Sequence, residues 1–173
     1  MANYMNDIPP GDVPKRINVI VEIPRGSQNK YEYDKKHGIV KLDRVLFSPM
    51  FYPGDYGFIP QTLGEDNDPL DALVLVSVPT FPGVLIEARP IGVLKMIDKG
   101  EPDDKILCVP CDDPRFADFK DLNSVQKPIL NEIAHFFEAY KHLEGKKVQV
   151  IGWENAKKAE EVIKQCVERY KEK

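Results

Sequence analysis

The sequence predicts a mainly-β protein of the α+β class, built as a small closed β-barrel with helices packed outside it. Three observations support this prediction. The first two thirds of the chain alternates short apolar segments with turns. The chain holds 15 prolines, mostly between those segments, which favours many short strands with rigid connections. Two segments with helical spacing follow, and this order is typical of a barrel flanked by helices.

The strands are predicted from runs of β-forming residues bounded by turn signals. We expect them at residues 17–24, 29–35, 38–47, 72–78, 83–98, 105–110 and 146–153. The segment 72–78 is a continuous apolar run, which indicates a buried strand. Pro90 interrupts the segment 83–98. Because proline cannot donate to a strand ladder, this segment is either a pair of strands or one bent strand.

The two helices have recognisable ends. The first is predicted over residues 129–143, with Pro128 in its first turn and Gly145 after its end. The second begins at about Ala156 after Asn155, a residue type that favours the N-cap position. Apolar residues recur on one face of each helix, so we expect both to pack against the barrel.

Length and composition limit the class of protein. The 173 residues fit one domain, residues 1–173, with 42% hydrophobic and 30% charged residues. A net charge of −4 argues against a broad nucleic-acid surface, although it allows a basic pocket for a small anion. No apolar run reaches the length of a membrane span, and the N-terminal residues lack the pattern of a secretory signal. Three cysteines do not make a disulfide framework, so a cytoplasmic location is the default expectation.

Cys108 and Cys111 form a C-x-x-C pair that we expect to be incidental. A thioredoxin-like pair begins a helix, whereas this one ends an apolar strand-like run. A zinc site would need two more ligands, and no second cysteine or histidine cluster lies nearby in the sequence.

Three aspartates, Asp66, Asp68 and Asp71, lie within six residues in the segment GEDNDPLDALVLVSV. A polar turn would explain part of this composition. However, Asp71 stands at the edge of an apolar strand, where a buried carboxylate needs a partner. A second acidic stretch, MIDKGEPDDK, also follows an apolar strand. The two stretches together predict a site for a hard cation such as Mg²⁺, Mn²⁺ or Ca²⁺.

Basic and aromatic residues elsewhere are candidates for the same site. They lie in VEIPRGSQNKYEYD, in LDRVLFSPMFYPGDYGFIPQTL and at the end of the first helix. Taken one at a time, such side chains are normally surface residues that shield apolar neighbours.

The blocks EDNDPLDALVL, VEIPRGSQNKYEYDK, FYPGDYGFIPQT, RPIGVLKMID, AHFFEAYK and GWENAKKA resemble, in this order, those of the soluble inorganic pyrophosphatases of family I, bacterial type. The resemblance covers nearly the whole chain. It implies an OB-fold-like closed five-stranded β-barrel with flanking helices. It also implies a homohexamer that hydrolyses pyrophosphate to two phosphates with several Mg²⁺ ions per active site, with Mn²⁺ as a possible substitute.

The resemblance assigns roles position by position. Asp68 is the general base that accepts a proton from a metal-activated water. The metal ligands implied are Asp66, Asp71, Asp98, Asp103 and Glu32. The residues implied to contact the phosphates are Lys30, Arg44, Tyr56, Lys105, Tyr140 and Lys141, of which Lys30, Arg44 and Tyr56 are also counted as catalytic. Glu22 and Tyr52 belong to the same cavity. The neighbouring Arg25, Glu101 and Asp104 are not assigned a role.

Two other functions stay open at this stage. Barrels of this kind often bind single-stranded nucleic acid, and Tyr31, Tyr33, Tyr52 and Tyr56 would be the stacking platform. The acidic cluster and the net charge of −4 speak against that function. A metal-dependent phosphatase of organic phosphates is the third possibility, and the sequence shows no apolar motif for an organic leaving group.

Overall fold

The protein is described by a computed structural model over residues 3–173. The predicted domain, residues 1–173, therefore includes two residues, Met1 and Ala2, that lie outside the described range. The structure has ten strands and two α-helices: β1 Gly11–Asp12, β2 Arg16–Ile23, β3 Asn29–Asp34, β4 Ile39–Val45, β5 Asp55–Phe58, β6 Asp71–Val74, β7 Leu85–Asp98, β8 Glu101–Pro102, β9 Lys105–Pro110, α1 Lys127–Ala139, β10 Val148–Asn155 and α2 Ala156–Lys171.

Five strands close into a ring, which confirms the predicted barrel. Strand β2 pairs with β5, β5 with β6, β6 with β9, β9 with β7, and β7 pairs back onto β2. The β6–β9 pair is parallel and the other four are antiparallel. The strands β1, β8 and β10 extend the ring, while β3 and β4 form a separate two-stranded hairpin.

Two strand predictions need correction or completion, and one strand of the ring was not predicted. The segment 83–98 is one bent strand, because the β7–β9 register shifts between Pro90 and Gly92. The strand predicted at 72–78 stops at Val74, where pairing with β9 ends. Strand β5 was not predicted, because its four residues include Gly57 and are too short to show a period. A side chain at Gly57 would meet the backbone of Ile20, so glycine lets β5 approach β2 and close the ring.

The first helix is shorter than predicted, and this changes how the site is presented. Helix α1 ends at Ala139, and residues 142–144 form a separate 3₁₀ turn that ends at Gly145, with φ of 71°. Tyr140 and Lys141 therefore lie at the junction of the two elements rather than inside a helix. The second helix begins as predicted, since the Asn155 side chain accepts a hydrogen bond from the Lys158 amide at 3.0 Å.

The two helices cover different parts of the barrel. Helix α2 buries Ala159, Val162, Ile163, Cys166 and Val167 against apolar side chains of the ring. Helix α1 buries Ile133, Phe136 and Phe137 in a second cluster that also contains Tyr52 and Tyr56. Burial of this size stabilises each docking by roughly 1.5–3 kcal/mol per large side chain. No helix in residues 3–173 is long and apolar enough to cross a membrane.

Candidate active site

The two acidic stretches meet at one end of the ring because of strand pairing. Asp71 begins β6 and stands opposite Lys105, the first residue of β9, in the parallel register. Asp98 ends β7, which is also paired with β9. The loop 64–70, which we call the acidic loop, leads directly into β6 and carries Asp66 and Asp68. Residues far apart in the sequence are therefore held side by side by rigid strand ends.

A buried lysine stands at the centre of this acidic group. Lys105 is 3% exposed, and its Nζ lies 2.6 Å from Asp71 Oδ2 and 2.5 Å from Asp103 Oδ1. Tyr56 donates its hydroxyl to the same Asp71 oxygen at 2.5 Å. Burial lowers the pKa of Lys105, but the Asp71 and Asp103 carboxylates outweigh it, so the pKa is raised and the ammonium stays charged.

Three other lysines pair with three more of the predicted carboxylates. Lys141 Nζ lies 2.5 Å from Asp98 Oδ2, with both side chains largely buried. Lys35 Nζ lies 2.8 Å from Asp68 Oδ1 in an exposed pair. In a further pair, Lys30 donates to Glu32 on the β3–β4 hairpin. The alternation of positive and negative groups compensates like charges that would otherwise repel one another.

These side chains line one open cavity of about 360 Å³. Of the predicted site residues, the cavity wall contains Glu22, Lys30, Glu32, Tyr56, Asp66, Asp68, Asp71, Asp98, Asp103, Lys105, Tyr140 and Lys141. Its size and polar wall suit a small, multiply charged ligand.

Arg44 and Tyr52 are the two predicted residues that do not line this cavity. Arg44 pairs with Asp43 and donates its Nε to Glu144 Oε1 at 2.8 Å. Tyr52 is buried behind the wall, where its ring packs against Tyr56 and Phe136. The structure thus places Arg44 at the side of the site and Tyr52 beneath it.

Burial shifts the protonation of several carboxyl groups in the wall. It raises the pKa of Asp66 and of Asp103, although Lys105 opposes the shift at Asp103. The largest shift is at Glu22, where burial raises the pKa to about 8 while the hydrogen bond from the Tyr33 amide, 2.6 Å long, opposes it. Perturbed carboxyl groups gathered in one cleft are typical of functional sites.

The donor chemistry of the wall fits a hard divalent cation. The candidate ligands are carboxylate oxygens without cysteine or histidine, as Mg²⁺ and Mn²⁺ prefer. Asp98 Oδ1 is buried with no hydrogen-bond partner among the described residues, so an acceptor remains for a cation. Within residues 3–173, no group of three such side chains is already arranged around one point, because lysine ammonium groups stand between them.

Two groups that contact the predicted residues could not be identified from the sequence. Lys35, which pairs with Asp68, follows Asp34 in the β3–β4 turn, and an exposed lysine in a turn gives no sequence signal of a site. Glu144, which binds Arg44, is a buried carboxylate whose partner is 100 residues away in the sequence. Among the unassigned neighbours, Glu101 lines the cavity, whereas Asp104 pairs with Lys95 and Arg25 donates to a backbone carbonyl.

The tyrosines do not form a platform for nucleic-acid bases. Tyr33, Tyr52 and Tyr56 are all buried, and Tyr33 is covered by the stacked ring of Tyr4, with 5.2 Å between centroids. Because stacking requires an open aromatic face, nucleic-acid binding is not favoured.

Within the described part of the chain, the C-x-x-C pair has no partner that would indicate a site: Cys108 is buried in β9, and both cysteines are free thiols.

The fold is a closed five-stranded barrel, and carboxylates alternate with lysines at one end of it. This combination is typical of the class of barrel proteins that bind small charged ligands. Comparison with known proteins narrows this class. The family model described as inorganic pyrophosphatase matches residues 19–171. The inorganic pyrophosphatase of Halalkalibacterium halodurans is 59% identical over 158 residues, covering 91% of this chain and 97% of that protein. That of Geobacillus stearothermophilus is 51% identical, with 91% and 96% covered.

A solved structure agrees with these relatives. The crystal structure of inorganic pyrophosphatase from Thermus thermophilus is 48% identical, with a TM-score of 0.95, and the match covers 98% of this chain and 99% of that one. The chain belongs to the inorganic pyrophosphatase family. The resemblance noted from the sequence, to family I enzymes of the bacterial type, is thereby confirmed.

Proposed function

We propose that this protein hydrolyses inorganic pyrophosphate to two phosphates, with Mg²⁺ as its metal and Mn²⁺ as a possible substitute. The observation that carries the proposal is the cavity of about 360 Å³ in which Asp71, Asp98 and Asp103 alternate with Lys105 and Lys141. Pyrophosphate is a small, dense anion, and its hydrolysis needs positioning and charge neutralisation more than covalent help. Enzymes of this family are metal-dependent.

The proposed metal ligands are the wall carboxylates Asp66, Asp71, Asp98, Asp103 and Glu32. All five line the cavity, and carboxylate oxygens are suitable ligands for several Mg²⁺ ions. When bound, the ions neutralise charge on the phosphates and make the attacking water more acidic.

The proposed phosphate contacts are the cationic and hydroxyl groups of the wall: Lys30, Tyr56, Lys105, Tyr140 and Lys141. A charge-assisted hydrogen bond from an ammonium to a phosphate oxygen is about twice as strong as a neutral one. Lys141 lies just beyond the end of α1, where its Nζ reaches Asp98, so it stands between that carboxylate and the space for the substrate.

Arg44 is the proposed contact at the side of the cavity. Glu144 and Asp43 accept hydrogen bonds from its Nε and Nη1. These partners orient the guanidinium, whose planar shape suits bidentate phosphate binding. Glu22 and Tyr52 complete the site in a supporting role, because Glu22 binds the backbone that carries Tyr33 and Tyr52 packs beneath Tyr56.

Asp68 is the proposed general base. Its side chain is 67% exposed at the cavity edge, so an incoming water can reach it. The neighbouring Lys35 ammonium donates to Asp68 Oδ1 at 2.8 Å and so helps to hold the carboxylate at the cavity edge. Asp68 would hold the water and accept its proton as the oxygen attacks phosphorus.

The proposal includes the setting in which the enzyme works. The chain is one domain, and its three free cysteines agree with a reducing, cytoplasmic compartment. A homohexamer is proposed because the resemblance to family I enzymes implies it. Large apolar side chains that remain exposed on this chain support an oligomer, including Phe47, Phe51, Phe81 and Leu143. Sedimentation analysis of the purified protein tests the hexamer directly.

The test of the activity is phosphate release from pyrophosphate with and without Mg²⁺. We expect release with Mg²⁺, release also with Mn²⁺ if it can substitute, and none after chelation. Small organic phosphates serve as the comparison substrate, and they should be poor because the cavity wall is polar. Release from an organic phosphate at a rate equal to that from pyrophosphate would contradict the proposed substrate.

A further inference from the structure

The acidic loop carries Asp66 and Asp68, and its C-terminal end, at Leu70, is fixed to the barrel. The Leu70 amide donates to Thr62 Oγ1 at 2.9 Å, and the Leu70 carbonyl accepts from the Ile59 amide at 2.9 Å. Leu70 itself is buried next to β6. The end of the loop that joins β6 is therefore held by the ring.

The N-terminal end of the acidic loop follows directly after Leu63, and Leu63 is held by helix α2. The Leu63 amide donates to the Cys166 carbonyl at 2.9 Å. The Leu63 carbonyl accepts from Arg169 Nη1 at 2.7 Å. Both backbone groups of Leu63 are thus bound by the last turns of α2, and the second bond is the only one of the two that depends on a side chain.

Hydrogen bonds inside the acidic loop connect the segments that carry its two aspartates. The Gly64 amide donates to the Asp68 carbonyl at 2.7 Å, and the Asp68 amide donates to Asp66 Oδ1 at 3.1 Å. Asn67 has a φ of 65°, which fixes the turn between the two aspartates. A shift of the loop at Leu63 would therefore displace Asp66 and Asp68 together.

Asp66 depends on this anchoring more than the other proposed metal ligands do. Asp71 and Asp103 are held by Lys105, Asp98 by Lys141, and Glu32 by Lys30. Among the described residues, Asp66 has no such lysine partner, and its position is set by the backbone of the loop.

There is also room for the loop to shift. A small cavity of about 80 Å³ separates the acidic loop from α2, and its wall includes Glu65, Asp66, Cys166 and Arg169. Arg169 lines this cavity and donates from its guanidinium to the Leu63 carbonyl. The contact with Glu65 is long, at 3.7 Å from Arg169 Nη2, so the bond to the Leu63 carbonyl is the stronger of the two.

We propose that Arg169 is a positioning residue for the metal site, because through Leu63 it sets where Asp66 and Asp68 stand relative to Asp71 and Asp103. Arg169 contacts neither the substrate cavity nor a proposed ligand. The proposal rests on the proposed function for its consequence in catalysis. Outer partners that orient metal ligands typically change metal affinity or activity by 10–100-fold when lost.

The test compares three variants by the binding of Mn²⁺ without substrate, measured from the free-ion electron paramagnetic resonance signal. Arg169→Met keeps the aliphatic stem and removes the donors. Arg169→Lys restores one donor for the Leu63 carbonyl. Lys171→Met is the matched control, since Lys171 lies on the same helix and pairs only with Glu168 in solvent. Thermal unfolding in chelator and kcat against Mg²⁺ concentration are measured for each.

We expect Arg169→Met to bind Mn²⁺ about tenfold or more weakly and to need correspondingly more Mg²⁺ for half of its maximal rate. Arg169→Lys should recover most of the affinity, and Lys171→Met should match the parent protein. Unchanged Mn²⁺ affinity in Arg169→Met, or an equal loss in Lys171→Met, would overturn the proposal. So would an Arg169→Met variant that is unfolded in chelator, since Arg169 would then be structural only.

The outcome is separable from the proposed function. A parent protein that releases no phosphate from pyrophosphate overturns the activity, while the Mn²⁺ affinities still decide the role of Arg169. An active parent with equal affinities in all variants overturns the role of Arg169 alone.

Discussion

Lys105 Nζ lies 2.6 Å from Asp71 Oδ2 because the parallel strands β6 and β9 begin in register with these two residues opposite each other. Asp103 approaches the same ammonium from the other side, at 2.5 Å. The central lysine of the site is therefore buried between two carboxylates. This relationship makes the charge of Asp71 matter for the fold as well as for the proposed chemistry.

Asp71→Asn should nearly abolish pyrophosphate hydrolysis and raise the Mg²⁺ requirement. It should also lower the free energy of unfolding in chelator, because Lys105 would keep only Asp103. The loss should stay below the roughly 3–5 kcal/mol seen when a buried charge loses its only partner. Phosphate release and urea unfolding measure the two effects. Asp112→Asn is the control, since the Asp112 side chain is 85% exposed. Near-normal turnover in Asp71→Asn would contradict the role of Asp71 as a metal ligand.

Asp68→Asn should lower kcat by about 10²–10⁴-fold while substrate still binds, because a general base contributes on this scale. The deficit should shrink as the pH rises, since hydroxide is then available without a base. The measurement is kcat and KM from pH 6 to 10. Glu65→Gln, a neighbour in the acidic loop that is outside the substrate cavity, should keep its rate. A deficit that is equal at every pH, with weaker metal binding, would make Asp68 a ligand instead.

Lys141→Ala should raise KM for pyrophosphate by about tenfold or more, because a hydrogen bond to a charged group is worth roughly 1.5–3 kcal/mol. The side chain is largely buried against Asp98 rather than in solvent, and it lines the cavity. Initial rates at saturating Mg²⁺ provide the test. Lys171→Ala is the matched control, since its ammonium pairs with Glu168 in an exposed ion pair on α2. Equal kinetic constants in the two variants would remove Lys141 from the site.

Glu22→Gln should stabilise the protein in chelator, and increasingly so as the pH rises. Burial raises the pKa of Glu22 to about 8 in the folded state, from 4.5 normally. The folded protein therefore holds a proton that the unfolded chain has released, and stability falls between about pH 4.5 and 8. Because glutamine does not ionise, the variant does not lose stability in this way. Its free energy of unfolding should therefore exceed that of the parent protein by a few kcal/mol at pH 8.

Urea unfolding at pH 5, 6, 7 and 8 measures this difference. Glu138→Gln, on the exposed face of α1, should show no such trend. An advantage of Glu22→Gln that does not change with pH would mean that Glu22 is already ionised in the folded protein.

The sequence by itself determined the fold class and the barrel, and most of the site residues predicted from it line one cavity. Alternation, proline placement and helical spacing are local properties, so strands such as β2 and β3 and the start of α2 at Asn155 could be predicted from neighbours in the chain. Strand β5 and the end of α1 could not. Gly57 is needed because the backbone of Ile20, across the ring, leaves no room for a side chain. Helix α1 ends next to Tyr140, whose ring stacks on Phe136.

Only the tertiary structure decided how the site residues are partnered. The spacing of Asp66, Asp68 and Asp71 shows that like charges are gathered, but the compensating lysine comes from β9 through the parallel register. Glu144 reaches Arg44 across 100 residues, and Arg169 reaches Leu63 across 106. These contacts leave no local pattern in the sequence, because their specificity lies in distances and burial that exist only after the strands and helices have packed together.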